Sequence, residues 1–152
     1  MAARTATLSP RMALLVAVYL LASLAHFAHN AEFIAYYPGL PRGLTREGVY
    51  LAWLAITSLG LAGLLVARRG WHTAGVLLIG AYGAFGLDGL AHYTLALCSE
   101  HTLVTNATIW AEAGSGLALL LASTLLLVRR SLTPPRYSAP DSPLPARSST
   151  PR

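Results

Sequence analysis

Apolar positions along this chain do not alternate with polar ones. They gather into four long runs, at about 12–36, 48–67, 71–97 and 102–128. Each run reaches the roughly 20 residues a helix needs to cross the hydrocarbon core of a bilayer. In lipid every backbone group must be satisfied within its own segment, so runs of this kind fold as helices. The breaks between them are short. Pro38, Gly39, Pro41 and Gly43 follow the first run, Arg68, Arg69 and Gly70 part the second from the third, and Cys98, Ser99, Glu100 and His101 part the third from the fourth. Short turns make consecutive helices antiparallel neighbours. The expectation is an all-α integral membrane protein, a four-transmembrane-helix up-down bundle over residues 12–130, with an N-terminal segment over 1–11.

The last stretch, 131–152, is a different material. It holds Pro134, Pro135, Pro140, Pro143, Pro145 and Pro151 among several serines. It has too little apolar surface to offset the entropy of ordering, so this Pro-rich C-terminal tail is expected to be disordered.

Composition supports lipid as the main solvent. The chain is 55% hydrophobic and only 11% charged, against roughly 25% charged for an ordinary soluble domain. Its net charge is +5, and all 11 basic residues are arginine. The arginines punctuate the ends of apolar runs and form no stripe or motif, so nucleic-acid binding is not expected. Arg4 and Arg11 precede the first run, Arg68 and Arg69 follow the second, and Arg129, Arg130 and Arg136 follow the fourth. By the positive-inside rule both termini are cytoplasmic in a multi-pass cell-membrane protein. Arg42 and Arg46 oppose this assignment, accompanied by Glu47. A rival reading makes Arg4, Arg11 and the start of the first run a cleaved signal peptide, with small residues near Ala28 and Ala31. The single cysteine, Cys98, excludes an internal disulfide and any CxxC motif. Gly80, Gly83, Gly86, Gly89, Gly114 and Gly116 suit close helix packing in lipid.

The candidate chemistry lies in the polar exceptions. The first run contains His26, His29, Asn30 and Glu32; the third contains Asp88 and His92; the fourth contains Glu112, with Thr105 and Thr108 on the same stripe. An ionisable group at the centre of a membrane helix costs roughly 2.5–3.5 kcal/mol on insertion scales, so such residues are functional candidates by default. At a rise of about 1.5 Å per residue, His26, Asp88 and Glu112 each lie roughly 15 Å below the outer end of their helices. His29, Glu32 and His92 fall in the layer above, and His101 sits on the outer turn as a lid. His26 and His29 are three apart and Asp88 and His92 four apart, spacings that put each pair on one helical face.

The leading expectation is a metal centre of His26, His29, Asp88, His92 and Glu112, with Glu32 and His101 peripheral. Imidazole and carboxylate donors suit zinc, iron, manganese or copper, in a membrane metalloenzyme or a metal-handling protein. Three alternatives stand beside it. Glu112 or Asp88 acts as the catalytic acid in a metal-free isomerase or cyclase of a lipid-soluble substrate, with Trp110, Tyr93, Phe27 or Phe33 stabilising a cation. His26 or His29 faces His92 across a haem b and serves electron transfer. Or the polar cluster pairs this chain with a membrane partner protein as a non-catalytic subunit.

Overall fold

The computed structural model describes residues 9–41 and 43–133. Expectations placed on Arg4, Arg42, Arg136 and the Pro-rich tail lie outside the described residues. Within them the chain is all helical. Helix α1 is Pro10–Glu32, α2 is Arg46–Arg68, α3 is His72–Ala84, a short α4 is His92–Leu95, and α5 is Leu103–Leu132. A 3-10 stretch, Phe85–Ala91, joins α3 to α4, so His72–Leu95 forms one span of 24 residues. Four helices are therefore long and apolar enough to cross a membrane.

The helix starts follow from local chemistry. Ser9 caps α1 by accepting the Met12 amide at 3.3 Å, and Pro10 occupies the first turn, where its missing N–H leaves no bond unmade. Thr45 caps α2 through the Gly48 amide at 3.0 Å, and Thr102 caps α5 through Thr105 at 3.1 Å. Two ends differ from expectation. The first helix stops at Glu32 rather than 36, because the chain turns through Ile34–Tyr36 into Pro38, which disfavours helix at Tyr37. The fourth runs on to Leu132, carrying Arg129 and Arg130 in its last turn, where cations favour the helix dipole.

The spans pack in a ring, α1 on α2, α2 on α3, α3 on α5 and α5 on α1. A methyl group built on Gly75 would lie 2.6 Å from the Ala67 Cβ, so glycine there sets the close antiparallel contact of α2 with α3. Gly80, Gly83, Gly86, Gly89 and Gly116 likewise face a neighbouring helix, whereas Gly114 faces open space. The up-down order brings the start of α1, the turn at Arg68 and Arg69, and the end of α5 to the same end of the bundle.

Polarity is inverted relative to a water-soluble bundle. Leu14, Leu21, Leu51, Leu61, Leu77, Leu121 and Leu125 point outward, while Ser23, His26, Asn30, Thr57, Thr105, Glu112 and Ser123 are buried. The buried positions of α1 are Met12, Val16, Tyr19, Ser23, His26, Asn30 and Ala31, and those of α5 are Thr105, Ile109, Glu112, Ala113, Gly116, Leu119 and Ser123. Apart from the added Ala31 and Ala113, both series step by threes and fours, the seam of a left-handed helix pair. One half of the interior is apolar, with Met12, Val16, Tyr19, Ile79, Tyr82 and Leu119 in contact. The other half holds His26, Asn30, Thr105 and Glu112.

Candidate functional site

The seam between α1 and α5 places two ionisable groups side by side. His26 Nε2 lies 3.5 Å from Glu112 Oε2, and the two side chains are 2% and 1% exposed. Around them the hydrogen bonds form a short chain. Asn30 Nδ2 donates to His26 Nε2 at 3.0 Å and to His92 Nε2 at 3.3 Å. With that nitrogen accepting, His26 carries its hydrogen on Nδ1, which donates to Thr108 Oγ1 at 3.4 Å. Thr108 in turn donates to the Thr105 carbonyl at 2.9 Å. Glu112 Oε1, Asn30 Oδ1 and His92 Nδ1 are buried without a protein partner. Buried polar groups without partners are uncommon and mark places where a ligand or water belongs.

The 3-10 stretch decides which side chains of the third span reach this pair. A 3-10 helix has three residues per turn, so side chains align at i and i+3. Phe85, Asp88 and Ala91 form one outward row, all exposed, and Gly86, Gly89 and His92 form the inward row. This corrects the expectation that Asp88 and His92 share a face, which assumed α-helical spacing. His92 reaches the interior, its ring centroid 5.3 Å from that of His26. Asp88 stands at the rim. Gly89 is the residue that makes room: a Cβ there would lie 3.0 Å from Glu112 Oε2 and 3.8 Å from His26 Nε2.

Beside the pair lies a cavity of about 170 Å³. His26, Asn30, Glu112 and His92 form its polar wall, with Asp88 at its edge; Phe27, Phe85, Leu40, Leu44, Val49 and Ala52 form the apolar one. Of the aromatic residues expected to stabilise a cation, Phe27 alone lines this space. Trp110 is exposed, Tyr93 donates to Asn106 Oδ1 at 2.8 Å, and Phe33 stacks on His29 with centroids 4.7 Å apart. Phe85 supplies the second ring.

The remaining predicted residues separate from the pair. His29 turns away from His26 and is hydrogen-bonded through Nδ1 to the Tyr37 hydroxyl at 2.6 Å. Burial pushes the Tyr37 phenol above its ordinary pKa. Glu32 is exposed, accepting from Tyr50 at 2.8 Å and paired with Arg46 at 2.7 Å. His101, on the turn before α5, is 8% exposed, its ring 6.1 Å from His92 and 6.3 Å from Tyr37, with neither nitrogen partnered. The five-ligand centre is therefore not assembled. Among the described residues, no group of three or more His, Cys, Asp or Glu side chains is placed to hold a metal ion.

Sequence reasoning left several buried polar residues out of the site. Asn30 links the two imidazoles, and Tyr19, Ser23, Thr57, Tyr82 and Ser123 bury unpartnered hydroxyls. The signal for Tyr19, Ser23 and Asn30 was the three-four spacing that joins them to His26 on α1. Comparison with protein-family models, with curated proteins and with solved structures finds no match to this chain.

Proposed function

We propose that His26 and Glu112 form an intramembrane acid–base pair that moves a proton within a lipid-soluble molecule, as an isomerase or cyclase does. The observation that carries this reading is the 3.5 Å approach of the two groups on the wall of a small cavity whose other wall is apolar. A cavity of about 150 Å³ holds a benzene-sized group. The space beside Glu112 is of that order, so it takes one unsaturated segment of a longer lipid while the rest stays in the bilayer.

The chemistry closes on itself. A protonated Glu112 carboxyl adds its proton to one carbon of a double bond, forming a C–H bond and leaving a carbocation on the other. The faces of Phe27 and Phe85 stabilise that charge. His26 Nε2 removes a proton from the next carbon, and the double bond re-forms one position along. The imidazolium then returns its proton to the Glu112 carboxylate, restoring both groups. Asn30 holds His26 Nε2 as an acceptor before the step and is a positioning residue.

Metal independence is supported by how few donors converge. The test is chelator-treated protein reconstituted with a lipid extract of the expressing cells and assayed for isomerised lipid. Conversion that survives chelation and disappears in Glu112→Gln is expected. Conversion restored only by a particular metal, or a haem Soret band in the purified protein, would overturn the proposal in favour of metal or haem chemistry.

A further inference from the structure

The opposite end of the bundle carries a groove unrelated to the acid–base pair. It lies between the start of α1 and the end of α5 and has a volume of about 300 Å³. Arg11 stands on one bank and Arg129 on the other; Leu15, Leu125 and Leu126 line the groove between them. Both arginines are exposed, and neither enters an ion pair among the described residues. Neither guanidinium is therefore neutralised by the described protein.

We infer that this groove binds an anionic phospholipid, its phosphodiester bridging Arg11 and Arg129 and one acyl chain lying along Leu15, Leu125 and Leu126. Three features support this occupant. Guanidinium groups bind phosphate oxygens through paired, charge-assisted hydrogen bonds. The two arginines belong to the first turn of one span and the last turn of another, the depth at which lipid headgroups sit. The groove continues from the charged banks onto apolar side chains, which fits a molecule with a charged head and a hydrocarbon tail and fits a free anion poorly. A lipid so placed ties the first helix to the last, at the end of the bundle where α1 and α5 have no connecting loop.

The test is native mass spectrometry of the full chain released from detergent with added phosphatidylglycerol, phosphatidylcholine or inorganic phosphate. The wild type should retain phosphatidylglycerol in preference to phosphatidylcholine and retain no inorganic phosphate. The Arg11→Gln/Arg129→Gln protein should bind phosphatidylglycerol about tenfold more weakly. Arg68→Gln/Arg69→Gln removes the same charge from the same end but outside the groove and should bind as the wild type does. Equal weakening in both double variants would overturn the site in favour of diffuse attraction. Retention of inorganic phosphate, or equal retention of the two lipids, would overturn the lipid assignment. Arg11→Lys/Arg129→Lys, which keeps the charge, guards against a folding defect: it should bind more tightly than the glutamine pair, and failure to do so would count against the groove.

Discussion

Gly89 and Glu112 are fitted to each other across the contact between the 3-10 stretch and α5: a methyl group at position 89 would lie 3.0 Å from Glu112 Oε2. The absent side chain at 89 is thus part of the site. Gly89→Ala should displace the carboxyl and cost about 1–3 kcal/mol of stability through overpacking. Gly114→Ala, on the same α5 but facing open space, should instead stabilise by roughly 0.5–1 kcal/mol through helix propensity. Unfolding midpoints of the two variants in one detergent check both signs.

The buried pair should behave as a functional feature that weakens the fold. Removing one partner leaves a buried polar group without its neighbour, so His26→Leu should cost about 1–3 kcal/mol, whereas His26→Leu/Glu112→Leu should recover most of that loss or exceed wild-type stability. A double-substitution cycle on unfolding free energies measures the coupling. Lipid conversion should be absent in His26→Leu, Glu112→Leu and the double variant, whatever their stability.

The exposed pair that joins the end of α1 to the start of α2 should matter little. Glu32 and Arg46 remain 42% and 58% exposed, so Glu32→Gln should change stability by less than about 1 kcal/mol and leave conversion unchanged. A loss of conversion comparable to that in Glu112→Gln would place Glu32 in the site.

Tyr37 offers a pH readout away from the bilayer core. Burial raises its phenol pKa in the folded protein. The stability it contributes is therefore full below the unfolded tyrosine value and is lost as pH rises through the folded one. Unfolding followed above about pH 10 should fall less steeply in Tyr37→Phe than in the wild type. Parallel curves would show that the Tyr37 phenol has the same pKa in the folded and unfolded chain, against the burial effect.

Much of this architecture was legible in the sequence because membrane helices are read from length and hydropathy, which tertiary context does not override. The four runs, their short turns and the depth match of His26 with Glu112 all follow from counting residues. The faces of the third span were not legible in the same way. Through Phe85–Ala91, where Gly86 and Gly89 pack closely on α5, the helix has three residues per turn, and this places Asp88 outward while keeping His92 inward. His29 failed for a related reason. On a seam stepping by threes and fours, His26 and Asn30 occupy successive positions, and His29 falls outside and finds Tyr37. Counting polar residues located the layer, but the backbone geometry selected its members.

The most direct test of the acid–base reading uses solvent hydrogen as the label. Metal-free protein is reconstituted with lipid extract in deuterated water, and the lipids are analysed by mass spectrometry for deuterium bound to carbon. The mechanism delivers the Glu112 carboxyl proton to carbon, and that proton exchanges with deuterated water before the first turnover and, after its return from His26, between later ones. Wild-type protein should label an unsaturated lipid, and Glu112→Gln and His26→Gln should not. Equal labelling by wild type and Glu112→Gln, or none above protein-free vesicles, would contradict the account.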